Sequence, residues 1–190
     1  MSRWKPDART RLEKAALALY RERGFAQTTV AEIAERAGLT ERTFFRYFAD
    51  KREVLFAGGD ALQQQLLSAL NNAASSLSAI DAVGAAIEAS AGLLERRRDF
   101  ARKRHAVIAE NPELQERERV KLASLAAALA EGLRRRGVRE PAASLAAEMG
   151  ITVFRIAFER WIDDTSDRGF APLVRESLNE LKLVTMGERG

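Results

Sequence analysis

The segment Thr29–Lys51 reads Thr-Val-Ala-Glu-Ile-Ala-Glu-Arg-Ala-Gly-Leu-Thr-Glu-Arg-Thr-Phe-Phe-Arg-Tyr-Phe-Ala-Asp-Lys and predicts two short helices joined at a glycine. Thr29 and Glu32 have the spacing of a capping box, in which each side chain binds the backbone amide of the other residue, so the first helix should begin at Val30. Gly38 tolerates the backbone angles that end a helix and turn the chain. Thr40 then provides the N-cap of a second helix.

The second of these helices has an apolar side and a polar side. Phe44 and Phe48 lie four residues apart and should point inward. A helix this short needs packing partners, and the apolar stripe before Gly24 can provide them: Leu12, Ala15, Ala16 and Leu19, closed by Phe25. The three helices together predict a helix-turn-helix whose open side carries the hydroxyl, guanidinium and phenol groups that bind DNA.

The positive charge of the chain is concentrated around this motif. Residues 1–52 contain 12 Lys and Arg against 7 Asp and Glu, whereas residues 53–190 contain 19 against 20, for a total of +4. A local excess of positive charge attracts a polyanion and makes its binding salt-dependent. Arg3, Lys5, Arg9 and Arg11 can form an arm that touches phosphate or the minor groove, or a frayed terminus.

The composition predicts an all-α protein of about nine helices, with the helix-turn-helix domain at residues 1–52 and a second helical domain at residues 53–190. The chain has no cysteine and one histidine, His105, which excludes disulfides and multi-histidine metal sites. We therefore expect no metal and no cofactor. No stretch approaches the length of a membrane span, so we expect a cytoplasmic protein.

The remaining helix boundaries follow from proline, glycine and capping residues. Asp50 and Glu53 suggest a second capping box that opens a long helix over 51–76, with Gly58-Gly59 inside it either as a flex point or as a close-packing site. Further helices are predicted over 80–95, 99–110, 112–136, 141–164 and 172–184.

The helix at 141–164 is apolar on almost every side, and only a narrow polar stripe follows Glu148, Thr152, Arg155, Glu159 and Asp163. Such a helix must be buried on two sides. We therefore expect helices 141–164 and 172–184 to form a homodimer interface around a two-fold axis.

The sequence Ala-Glu-Ile-Ala-Glu-Arg-Ala-Gly-Leu-Thr, followed by Arg-Thr-Phe-Phe-Arg-Tyr-Phe and Lys51, resembles the N-terminal domain of the TetR (tetracycline repressor) family over about residues 12–55. The resemblance implies an all-helical homodimeric regulator that binds double-stranded operator DNA and is released by a small molecule. It also implies that residues 1–52 are the DNA-binding domain and that residues 53–190 are the effector-binding and dimerisation domain. By position it also implies a set of DNA-binding residues. The positions that contact phosphates in the family are occupied here by Thr28, Thr29, Tyr47 and Lys51. The positions that read base edges are occupied by Arg42, Thr43 and Arg46. The set also includes Thr40, the N-cap of the second helix.

Two residues depart from the family pattern. Phe45 stands where the family often has tyrosine, and so loses a hydroxyl that could hold a phosphate. Arg42 stands where the family often has glycine, and adds a guanidinium that can bind guanine in the major groove. The operator sequence therefore cannot be transferred from relatives.

The effector is less clearly indicated than the DNA. An apolar pocket is expected among the helices between Ile80 and Trp161, and the segment 104–114 with the Ala/Leu helix after it is similar to TetR-type regulators of the mycofactocin-associated group. That similarity implies an acyl-CoA-like or other lipophilic effector. The candidate lining residues, each of which also has a purely structural interpretation, are Phe100, Arg104, His105, Ile108, Phe154, Arg155, Phe158 and Trp161.

Two other classes of function remain open at this stage. An enzyme would need a catalytic set, but Glu159 and Asp163 lie four residues apart on one helix near Arg155, an arrangement that ion pairing explains. We therefore expect no catalytic residues. An architectural DNA-binding protein without an effector would share the same motif but bind without sequence preference.

Overall fold

The computed structural model describes residues 7–166 and 168–187, and these residues form helices and connecting turns without any strand. The first four helical elements are α1 (Ala8–Arg23), α2 (Val30–Arg36), α3 (Glu41–Tyr47) and a 3₁₀ helix (Glu53–Phe56). The rest are α4 (Gly59–Asn72), α5 (Ala79–Ala89), α6 (Ala91–Glu95), α7 (Arg98–Ala109), α8 (Pro112–Arg135), α9 (Ala142–Asp163) and α10 (Phe170–Met186). The predicted all-α fold is confirmed.

The caps of α2 and α3 form as the sequence predicts. Thr29 and Glu32 make the capping box at the start of α2, with the Thr29 amide donating to Glu32 Oε2 over 2.8 Å. The Thr40 hydroxyl oxygen accepts from the Thr43 amide at the start of α3. Gly38, between these helices, has a φ of +63° that L-residues rarely adopt. Local sequence therefore sets where α2 begins, where the chain turns and where α3 begins.

The core of this three-helix unit is aromatic and aliphatic. Phe44 is fully buried, and its ring lies 5.5 Å from that of Phe48, which is also buried. Behind them α1 contributes Leu12, Ala16 and Leu19, and α2 contributes Ile33. The assignment of the two phenylalanines to the core is confirmed.

The prediction of one long helix over residues 51–76 is wrong. The Asp50 carboxylate accepts from the amides of Arg52 and Glu53, but it starts a turn and the 3₁₀ helix, and α4 begins only at Gly59. A Cβ at Gly58 or Gly59 would meet nothing within 4 Å, so the close-packing interpretation is also wrong. Two glycines next to each other disfavour a continuous helix at this point.

The chain packs as two compact units, residues 1–59 together with 103–118, and residues 60–102 together with 119–190. The end of α7 and the start of α8 thus belong to the first unit, although more than 40 residues of the chain separate them from residue 59. The boundary expected after residue 52 stays a prediction.

The second unit is built around α5, α9 and α10. Two glycines allow these helices to approach closely, because a Cβ at Gly150 would overlap Val83 and a Cβ at Gly84 would overlap Leu178. The single helix expected over 80–95 is interrupted at the buried Ser90, whose hydroxyl donates to the Ala86 carbonyl over 2.9 Å. Hydroxyl bonds of this kind bend helices.

Arginine side chains donate hydrogen bonds to backbone carbonyls at the helix ends of this unit. Arg98 donates to the carbonyls of Trp161 and Asp164 at the end of α9, over 2.6 Å in both cases. Arg136 donates to four carbonyls at and after the end of α4, including that of Leu70 at 2.8 Å. The backbone groups that a helix leaves unpaired at its ends are thereby satisfied.

Candidate nucleic-acid interface and effector residues

The outer side of α3 is cationic and aromatic. Arg42, Arg46 and Tyr47 are exposed, and Thr43 is partly exposed. Arg42 makes no hydrogen bond or ion pair with any residue that the structure describes. A guanidinium in this position keeps all of its donors available for a partner outside the chain.

Arg46 lies against its neighbour Tyr47. Its guanidinium carbon is 4.9 Å from the centre of the Tyr47 ring, and Nη2 donates to the phenol oxygen over 3.2 Å. A guanidinium stacked on an aromatic face is held at low entropic cost while its remaining donors stay exposed. The pair therefore presents a planar donor and a phenol together.

The predicted phosphate contacts at the start of α2 differ in their surroundings. Thr29 is exposed, and its hydrogen bonds lower the pKa of Glu32, first through the Thr29 amide and then through its hydroxyl. Thr28 is only 1% exposed, and its hydroxyl donates to the Gly24 carbonyl over 2.8 Å. The Thr28 side chain is thus part of the loop between α1 and α2.

Lys51 is directed into the protein. Its ammonium donates to the carbonyls of Phe25, Ala26 and Thr28 over 2.9, 3.2 and 2.9 Å, and it lies 4.5 Å from the centre of the Phe25 ring. An ammonium has three donors, and here all three are used. The backbone of Lys51 is held as well, because the Tyr20 hydroxyl donates to its carbonyl over 2.6 Å, and burial raises the pKa of Tyr20.

The basic residues at the start of α1 also bind backbone carbonyls. Arg9 donates to the Ala57 carbonyl, and Arg11 donates to the carbonyls of Ala37 and, over 3.2 Å, of Gly38. Arg11 therefore holds the turn between α2 and α3, a role that sequence reasoning missed because the partners are 26 and 27 residues apart. Arg3 and Lys5 lie outside the described residues.

Charged side chains bind segment 103–118 within the first unit. Arg104 donates to the Leu55 carbonyl over 2.6 Å and to Glu118 over 3.0 Å, and Arg117 pairs with Glu53. Burial lowers the pKa of Arg104, with Glu118 opposing that effect. Arg104 was expected at an effector, but its strongest hydrogen bonds are to this unit.

The effector candidates on α9 form one aromatic cluster in the second unit. The rings of Phe154 and Phe158 are stacked at 6.0 Å, and Trp161 lies 5.9 Å from Phe158. Phe170 completes the cluster at 5.7 Å from both Phe154 and Trp161. Sequence reasoning missed Phe170 because it placed the start of this helix at residue 172, although Phe170 shares the helical spacing of the buried Leu173 and Val174.

The other candidates make contacts of a different kind. Phe100 packs under Arg97, with 4.2 Å between the guanidinium carbon and the ring centre, and Arg155 is exposed and paired with Glu159 over 3.3 Å. His105 and Ile108 lie with Arg104 in segment 103–118 of the first unit. The eight expected residues are therefore divided between the two units.

Two shallow depressions of about 230 Å³ each lie elsewhere in the second unit. One is lined mainly by alanines of α8 with Ser144 and Glu148, and the other by residues around Leu77, Leu133 and Arg136. Neither contains any of the expected effector residues.

Across residues 7–166 and 168–187, no three His, Cys, Asp or Glu side chains come together as a metal site would require. Within those residues, no helix has both the length and the apolar character needed to span a lipid bilayer.

A helix-turn-helix with exposed guanidinium groups on its second helix, followed by a larger helical unit, defines a class of helical DNA-binding regulators. The chain belongs to the tetR family of bacterial regulatory proteins: that family model matches residues 12–57, and the model of the MftR C-terminal domain matches residues 77–184. It is thus a DNA-binding transcriptional regulator, in a family of regulators rather than of enzymes.

Known relatives agree with this assignment. The chain is 29% identical over 158 residues to a protein of Mycobacterium tuberculosis named as the mycofactocin biosynthesis transcriptional regulator MftR, covering 82% of this chain and 80% of that one. It is 42% identical over 62 residues to the regulator TcmR of Streptomyces glaucescens, covering 33% of this chain and 27% of TcmR. The structure of the repressor FadR of Thermus thermophilus in complex with lauroyl-CoA superimposes with a TM-score of 0.55 at 26% identity, covering 96% of this chain and 95% of FadR.

Proposed function

We propose that this protein is a repressor that binds a palindromic operator as a homodimer and is released from it by a lipophilic small molecule. The observation that carries the proposal is the outer side of α3, where Arg42 and Arg46 present guanidinium groups to solvent. Bidentate binding of guanine by arginine is the commonest specific contact in the major groove.

The contacts that we propose are fewer than the sequence alone suggested. Arg42, Thr43 and Arg46 read base edges, and Thr29 and Tyr47 contact phosphates. Thr28 and Lys51 are instead proposed to position the loop before α2, because their polar side-chain groups are used inside the first unit. Thr40 acts as the cap that orients α3.

The homodimer is supported by the outer face of α9. Leu145, Met149 and Ile156 are 59%, 37% and 41% exposed, and they fall within about 40° of one another around the helix. Val184 of α10 is also exposed. Exposed apolar side chains aligned on one helix mark an association surface. A dimer that reads two half-sites one DNA turn apart needs its two α3 helices about 34–36 Å apart.

The effector is proposed to be an acyl-CoA or a similar lipophilic molecule. FadR of Thermus thermophilus was solved with lauroyl-CoA. The aromatic cluster of Phe154, Phe158, Trp161 and Phe170 is the apolar region that we propose for the acyl chain, and its buried rings would have to move apart to admit it. A ligand can release DNA only if it binds the DNA-free arrangement more tightly.

The DNA-binding proposal is tested by selecting bound fragments from random duplex DNA with the purified protein, followed by footprinting and sedimentation of the complex. We expect a palindrome occupied by two chains, with an affinity that falls as salt is raised. If the protein instead coats DNA without sequence preference, the repressor proposal is contradicted and an architectural role is supported.

The effector proposal is tested by adding lauroyl-CoA to the preformed operator complex, with coenzyme A and lauric acid as matched controls. We expect lauroyl-CoA to release the DNA at concentrations where coenzyme A does not. Unchanged DNA affinity with all three molecules would contradict an acyl-CoA effector.

A further inference from the structure

Phe45 is an apolar side chain in a polar and cationic region. It is 55% exposed although it lies in the middle of α3. Its ring packs edge-to-face on the buried ring of Phe44, with 5.4 Å between centres and 82° between planes. The ring is therefore held in place by the core while most of its surface remains in solvent.

The position of Phe45 around α3 places it at the border of the cationic side. Successive residues of an α-helix are about 100° apart, so Phe45 lies about 60° from Arg42 and about 100° from both Phe44 and Arg46. Residues three apart on a helix are neighbours. Phe45 is therefore a surface neighbour of Arg42 on α3.

The chemistry of the ring limits what it can recognise. A phenyl group has no donor or acceptor, so it makes no conventional hydrogen bond to a phosphate oxygen. The major-groove edges of guanine, adenine and cytosine are read through hydrogen bonds, whereas thymine also presents its C5 methyl group, which is recognised by apolar contact. Thymine is thus the base whose edge matches Phe45.

We propose that Phe45 is a specificity-determining residue that contacts a thymine methyl group in each half-site of the operator, next to the base pair read by Arg42. The inference rests on the proposed function, since it requires α3 to lie in the major groove. In this proposal the Phe45 ring distinguishes thymine from other bases and does not bind a phosphate.

The test replaces each thymine of the selected operator singly by deoxyuridine, which removes the methyl group and leaves base pairing intact. At constant salt concentration, replacement of one particular thymine in either half-site should lower the affinity of the wild-type protein about fourfold. This factor corresponds to the loss of one buried methyl group. At the other thymines, replacement should have little effect.

The variant Phe45→Ala identifies the residue responsible. It should bind the thymine operator more weakly than wild type and lose the penalty for deoxyuridine at that position. The matched control Leu77→Ala shortens another exposed side chain, in the second unit, and should keep the wild-type penalty. Thermal melting of both variants checks the fold.

The outcomes separate the two proposals. If wild type binds the selected operator but no deoxyuridine changes its affinity, the role of Phe45 is overturned while the repressor proposal stands. The same holds if Phe45→Ala retains the full deoxyuridine penalty. If wild type binds no duplex at all, the proposed function is overturned and this inference with it.

Discussion

At the scale of single residues, similar cationic side chains have different tasks. Arg42 is exposed and has no partner among the described residues, whereas Arg11 and Lys51 donate to backbone carbonyls around the helix-turn-helix. The difference lies in the neighbouring backbone: carbonyls with no helical partner attract donors. Part of the positive charge near the N-terminus therefore stabilises the motif, and part of it remains for DNA.

Replacing Lys51 by methionine should destabilise the protein by about 2 kcal/mol, because three carbonyls lose hydrogen bonds from a charged donor. Urea unfolding measures the change. The matched control is Lys14→Met, which alters an exposed lysine of α1 and should leave stability within about 0.5 kcal/mol. Equal stability of the two variants would contradict the structural role of Lys51.

Replacing Arg42 by alanine should weaken operator binding by roughly 1 to 3 kcal/mol and relax the preference at one base pair per half-site. The melting temperature should stay unchanged, since the side chain is exposed. Affinities for the selected operator and its single-base variants measure both effects. Arg21→Ala removes an exposed arginine of α1; if it matched Arg42→Ala in lost specificity, the proposed reading by α3 would be wrong.

At the scale of helices, ion pairs and caps bind elements that are distant in sequence. Arg117 pairs with Glu53, Glu95 accepts from the amide of Phe170 at the start of α10, and Lys182 of α10 pairs with Asp81 at the start of α5. Each contact fixes a helix end, where backbone groups or the helix dipole provide added stabilisation. These contacts join helix ends that are distant in sequence.

The pair between Asp81 and Lys182 predicts a pH dependence of stability. The hydrogen bond from Lys182, followed by that from Ser78, lowers the pKa of Asp81. A carboxyl group whose pKa is lowered in the folded state stabilises the protein above its unfolded pKa of about 3.9, and this stabilisation is lost as pH falls through the folded value.

The free energy of unfolding of Asp81→Asn should therefore lie below that of wild type at pH 7, and the gap should narrow as the pH is lowered below about 4. Urea unfolding at several pH values measures the gap. The exposed Asp163→Asn variant provides the comparison. A gap at Asp81 that stays constant down to pH 3 would show that the ion pair adds nothing to folding.

At the scale of the whole molecule, one side of α9 packs inside its own unit, and the opposite side is the one that we propose for dimerisation. Its inner side supplies Trp161, which is 1% exposed, and its outer side supplies Leu145, which is 59% exposed. A charge introduced at the first position would be buried without a partner in a single chain, whereas a charge at the second would be buried only in a dimer.

Leu145→Asp should therefore yield a folded monomer, and Trp161→Asp should yield an unfolded or strongly destabilised chain. Sedimentation and thermal melting distinguish these results. Leu77→Asp, at another exposed leucine, should retain both the dimer and the stability of wild type. A Leu145→Asp protein that still sediments as a dimer would rule out this face as the interface.

The sequence by itself determined the helix-turn-helix. Thr29, Glu32, Gly38 and Thr40 act on residues within three or four positions, and Phe44 and Phe48 repeat at the helical period, so short-range rules predict both helices and the inward side of α3. The misplaced start of α4 marks the limit of those rules. The Asp50 carboxylate accepts from the amides of Arg52 and Glu53, but a turn and a 3₁₀ helix follow there, and the Glu53 carboxylate pairs with Arg117.

Only the tertiary structure decided which cationic side chains remain available and which effector candidates lie together. Lys51 contacts carbonyls 23 to 26 residues away, and Arg104 contacts Leu55 across 49 residues. Local periodicity carries no information about such pairs, because they depend on which helix ends meet after folding. Phe170 joins the aromatic cluster for the same reason: three-dimensional packing brings the start of α10 against the end of α9.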